Sequence, residues 1–142
     1  MARTLRPIVT GLLGVALGAC VFAAASAAAS SPLIKRSSGP LSATLLPSSH
    51  TPKVNVKWPI TVTATLNGKP AHATAAYEFL FGGTQVGATQ YPNNNKHFSF
   101  TGHFSDKLVF PPDSAGEPLT LSVVITAAGH TVHLNWSITS HT

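Results

Sequence analysis

Residues 97–110 read HFSFTGHFSDKLVF. Phe98, Phe100, Phe104, Leu108 and Phe110 share one parity, while His97, Ser99, Thr101, His103, Ser105 and Lys107 share the other. A period of two places apolar and polar side chains on opposite faces of an extended chain, which predicts half-buried β-strand. Gly102 and Asp106 fall on the apolar parity, so a bulge or a strand boundary is expected near them, with two strands sharing the stretch.

The same alternation extends in both directions. Towards the N-terminus, Pro92, Asn93, Asn94 and Asn95 read as a loop and residues 85–90 as a weak strand. Gly82 and Gly83 form a turn, preceded by an inward stripe of Ala75, Tyr77, Phe79 and Phe81 with Glu78 on the opposite face. In residues 54–66, Val54, Val56, Trp58, Ile60, Val62, Ala64 and Leu66 all occupy even positions, which predicts one strand broken or placed at an edge by Pro59. Asn67 and Gly68 suit a tight hairpin, but Pro70 follows and cannot donate to a ladder, so a crossing to a second sheet is expected there. Residues 30–52 have the Ser, Pro and Thr content of a linker, with one short strand between Pro40 and Pro47.

Towards the C-terminus, Pro111, Pro112, Asp113, Ser114, Ala115 and Gly116 make a turn-rich connection. A final pair of strands follows, with Leu119, Leu121, Val123 and Ile125 on one face, Val132, Leu134, Trp136 and Ile138 on one face of the partner, and Gly129 between them. No helical periodicity with capping signals occurs after the first 29 residues. About seven short strands separated by regular turns predict an all-β fold, a two-sheet sandwich.

Residues 1–29 differ in kind. Arg3 and Arg6 precede an uncharged, Ala-rich run from residue 8 to residue 29, which ends in Ala-x-Ala sites at Ala25 to Ala27 and Ala27 to Ala29. A positive segment, an apolar segment and small residues at a cleavage site are the marks of a secretory signal peptide, an apolar leader helix that is removed on export. Retention as a membrane anchor is one alternative. Lipidation at Cys20 is another, because Leu17, Gly18, Ala19 and Cys20 resemble a lipobox. The expected organisation is therefore a signal peptide at 1–29, a linker with one short strand at 30–52 and a β-sandwich domain at 53–142.

Cys20 is the single cysteine, so the exported chain has no disulfide and must be held by its core. Removing 29 of the 142 residues leaves 113, enough for one domain. The whole chain carries a formal charge of +5. After residue 29 seven cations, Lys35, Arg36, Lys53, Lys57, Lys69, Lys96 and Lys107, face four acids, Glu78, Asp106, Asp113 and Glu117. The cations are scattered and form neither a basic stripe nor an aromatic platform, which argues against nucleic acid as a partner.

The same four acids offer no paired carboxylates for acid–base work, and neither Gly-x-Ser-x-Gly nor His-Glu-x-x-His nor a phosphate-cradling loop occurs, so no enzyme and no cofactor is expected. Asp113 and Glu117, beside Pro and Gly, read as solvated turn residues, two carboxylates where calcium takes six or more oxygen ligands. Seven His, at 50, 72, 97, 103, 130, 133 and 141, raise a metal-handling alternative for copper or zinc. His97 and His103 share a parity, yet six residues of strand hold them about 20 Å apart. His130 and His133 differ in parity but flank the turn at Gly129, and are the candidate pair. Asn135, Trp136 and Ser137 match a glycosylation sequon whose central residue is a core candidate.

Residues 58–66 with Asn67, Gly68, Lys69, Pro70 and Ala71, followed by residues 75–87, resemble the second and third strands of bacterial immunoglobulin-like domains. Residues 98–110, the Pro-rich turn with Gly116, and residues 119–138 resemble the last three strands. The resemblance spans about residues 54–140 and lies in spacing and turn chemistry. The Cys pair is absent, the two Trp fall on the predicted second and last strands, and Tyr77 is not placed for a tyrosine corner. It implies an immunoglobulin-like sandwich of about seven antiparallel strands with an adhesive, spacing or accessory role in the cell envelope or outside the cell. Partners would be extracellular or envelope proteins or polysaccharides, with membrane contact only through a retained or lipidated leader.

Overall fold

A computed structural model describes residues 33–88 and 97–142. The leader, with Cys20 and its cleavage sites, and the loop at 92–95 lie outside the described residues. Among the described residues the protein is all-β, two antiparallel sheets of five strands each, and no helix is long and apolar enough to cross a membrane.

The first sheet runs β1 (Ile34–Ser38), β2 (Leu41–Pro47), β3 (Trp58–Leu66), with β8 (His103–Leu108) and the two-residue β4 (Lys69–Pro70) sharing the far side of β3. The second runs β10 (His130–Thr139), β9 (Pro118–Ala127), β5 (His72–Phe81), with β6 (Thr84–Ala88) and β7 (Phe98–Thr101) sharing the far side of β5. The predicted alternation is visible in the burial. Val132, Leu134, Trp136 and Ile138 of β10 are buried, while the residues between them are exposed. Leu41, Leu45, Ile60 and Val62 of the first sheet and Tyr77, Leu121, Ile125 and Leu134 of the second are among the largest fully buried side chains. Along one side β1 lies against β10.

The 97–110 stretch divides at Gly102, between β7 in one sheet and β8 in the other. Gly102 has φ of +70°, and a Cβ there would stand 2.8 Å from Cβ of Pro70. Pro70 belongs to the other crossing, where the chain leaves β4 through Ala71 for β5. The two crossings are stitched by hydrogen bonds from Ala64 N to Gly102 O (2.9 Å), from Gly102 N to Ala71 O (2.9 Å) and from Ala71 N to Ala64 O (3.0 Å). Only a residue without a side chain allows this contact.

Four local differences from the sequence pattern have clear causes. Asn67 (φ 51°) and Gly68 (φ 79°) do form a two-residue hairpin turn, and the chain crosses only after β4. Val54 and Val56 keep the parity of β3 but belong to a loop, where Asn55 takes φ of 58° and leaves Val56 exposed. Asp106 causes no bulge. It pairs in register with Ile60, its side chain on the inner face between Phe104 and Leu108. Residues 34–38, linker by composition, form the edge strand β1, and residues 41–47 are the expected short strand.

Candidate functional site

The stripe Ala75, Tyr77, Phe79, Phe81 on β5 runs out of the core. Ala75 and Tyr77 are buried, Phe79 is partly buried and Phe81 is 46% exposed. The Gly82–Gly83 turn, with φ of 56° and 84°, folds β6 back so that Val86 stands beside this end of the stripe, 59% exposed. Opposite, the chain leaves β8 through Val109 and Phe110 into a 3₁₀ turn, Pro112–Ser114, before β9.

Between these walls lies a cleft of two adjoining lobes. The outer, of about 360 Å³, is lined by Phe81, Val86, Pro111, Ser114 and Leu119, with Asp113 and Glu117. The inner, of about 180 Å³, shares Val86, Pro111, Ser114 and Leu119 and adds Phe79, Gly87, Val109 and Phe110. The floor is rigid. Phe79 meets Phe110 edge-on at 5.6 Å, and Phe110 meets Trp58 edge-on at 5.5 Å, so the aromatic contacts run from the cleft into the core.

Two hydroxyls hold the turn wall. Ser114 Oγ donates to the Pro111 carbonyl (2.7 Å), Ser140 Oγ donates to the Ser114 carbonyl (2.6 Å), and Gly116 N donates to the Ser140 carbonyl (2.8 Å). The turn is thereby tied to the C-terminal end of β10. Asp113 and Glu117 are exposed at the cleft, and among the described residues no Lys, Arg or His lines either lobe.

A second tie lies at the same end. Trp58 Nε1 donates to Ser49 Oγ (3.1 Å) and Trp136 Nε1 to the Ser49 carbonyl (3.0 Å), so one serine receives both indoles. His50 stacks on Trp136 with ring centroids 3.7 Å apart, and its Nδ1 lies 2.6 Å from the Ser137 carbonyl.

The histidines do not converge. His130 shares the parity of the buried β10 residues and packs on Gly39, where an added Cβ would stand 2.8 Å from His130 Cε1. His133 is on the exposed face, opposite Val124 of β9. The candidate pair is thus split between the two faces of one strand. His103 begins β8 in the first sheet, whereas His97 precedes β7 in the second. Among the described residues no group of three or more His, Cys, Asp or Glu could hold a metal ion. Asn135 and Ser137 of the sequon are exposed on β10 and Trp136 is buried. Cys20 lies outside the described residues.

Asp113 and Glu117 were legible as turn acids, but the cleft they border was not. Phe81 and Val86 have the residue types of ordinary strand positions, and their exposure follows from where β5 outruns the core. The chain matches no protein-family model, no curated protein and no solved structure.

Proposed function

We propose that this chain is an exported, non-enzymatic module of immunoglobulin-like type that binds a partner in the cell envelope or outside the cell, and that the cleft is where it binds. Strand order supports the fold type. If β2, β3 and β8 take the places of strands A, B and E, then β5, β9 and β10 take those of C, F and G, with A, B, E in one sheet and G, F, C in the other. The departure is β7, in the place of strand D, which pairs with β5 rather than joining β8. Export rests on the order of charge, apolar run and small residues in 1–29.

The observation that carries the binding role is where the exposed apolar side chains are. Of the five large hydrophobic residues exposed among the described residues, Phe81, Val86 and Val109 line this one cleft. Grouped apolar exposure around a concavity marks an interaction surface, whereas single exposed residues are ordinary. The fold by itself carries no function. Titration with an environment-sensitive apolar dye tests the role. Saturable fluorescence that Val86→Asp abolishes, with the circular dichroism spectrum unchanged, is the expected result. Dye binding that is absent, or equal in the variant, would overturn it.

A further inference from the structure

We propose that the ligand of the cleft is an extended peptide segment with an apolar side chain next to a Lys or Arg, bound by adding a strand to β6. This rests on the cleft being the binding site and names what enters it.

The edge is open, interrupted only by a bulge. β6 ends its sheet's path beyond β5, so among the described residues its outer side faces no strand. Edge strands are ordinarily protected by charges, Pro, bulges or inward-pointing acids. The other edge beside the cleft, β8, has such protection in inward Asp106 and outward Lys107. β6 reads TQVGA, with neither charge nor Pro. Its one irregularity is a bulge within β6 itself, where Val86 is the extra residue between the pairing of Gln85 with Leu80 and that of Gly87 with Phe79.

The cleft fits the side chains of an added strand. Side chains on one face of a strand recur about every 6.5–7 Å, so alternate residues of a segment lying along β6 would enter the outer and inner lobes in turn. Main-chain hydrogen bonds would supply affinity and the lobes selectivity, as in other strand additions.

Charge selects the sign of the flanking residue. Asp113 and Glu117 are two of the four acids after residue 29, they stand beside the same lobe, and among the described residues no cation lines it. A fatty acid or an acidic peptide would bring like charge to these carboxylates, whereas a Lys or Arg next to the inserted apolar residue would meet opposite charge.

The test is selection of a random heptapeptide display library on the full-length protein purified from its host, followed by synthesis of the leading peptide. Enriched sequences should alternate apolar residues and carry Lys or Arg. Affinity for the synthetic peptide should fall about tenfold or more in Val86→Asp or on N-methylation of alternate peptide nitrogens. It should fall by about threefold to tenfold in the Asp113→Asn, Glu117→Gln double variant, with a weaker salt dependence than the parent. An acidic consensus, indifference to N-methylation, no enrichment, or a dimer in sedimentation that Val86→Asp dissolves would each overturn the proposal. The two claims separate cleanly. Val86-dependent dye binding without peptide enrichment removes the peptide and keeps the cleft, whereas loss of both removes both.

Discussion

Gly102 and Ser49 show how much of this molecule hangs on single positions. At Gly102 a side chain meets Pro70 and the backbone is in the left-handed region, whereas Gly129 at the β9–β10 turn has the same sign of φ (+77°) with nothing within 4 Å. Gly102→Ala should therefore destabilise by about 2–4 kcal/mol and Gly129→Ala by about 1 kcal/mol, compared by urea unfolding. Ser49→Ala removes the acceptor of Trp58 but leaves the carbonyl that receives Trp136. It should cost about 1–3 kcal/mol, the penalty of an unpaired buried donor, because Trp58 is only 4% exposed. A variant indistinguishable from the parent in urea would show that water replaces the hydroxyl. Gly102 could be marked from its parity as a boundary. Its contact with Pro70, 32 residues earlier, arises only when both crossings are in place.

At the scale of elements, β8 combines two features that conflict with one another. Asp106 lies on the inner face with Oδ2 buried and unpartnered, while Oδ1 accepts from Lys107 N at 2.7 Å. The arrangement costs stability and discourages edge pairing. Asp106→Val should raise stability by about 1–2 kcal/mol in urea unfolding and increase concentration-dependent association seen by light scattering. Increased stability without association would remove the edge-guarding role. The latch of Ser114 and Ser140 makes a second prediction. Ser140→Ala should loosen the 3₁₀ turn, speeding amide exchange at Ala115 and Gly116 well before the core strands. Strands with one buried face, β7 to β10, were legible because burial imposes a period of two. Edge strand β1, with Lys35, Arg36 and Ser37 all exposed, has no apolar stripe to reveal it. Val54 and Val56 mislead in the opposite way, since parity persists where Asn55 has already turned the chain.

The whole molecule is a cysteine-free sandwich after residue 29, sealed where β1 meets β10 and bearing a cleft beside β6 and β8. Two sheets were legible because turn residues recur between alternating runs. Which strands share a sheet, and hence which side gapes, was not, because pairing between distant segments leaves no periodic trace in the chain. Intact mass of protein recovered from the medium should show a species beginning near Ala28 or Ser30. A membrane species beginning at acylated Cys20 would replace the free module with a surface lipoprotein.

Binding of a partner in the cleft is open to a test in the native host, with a photoreactive amino acid placed at Val86 and, separately, at His133 on the exposed face of β10. A discrete cross-linked adduct is expected from position 86 and none from position 133. No adduct at position 86, or equal adducts at both, would contradict it.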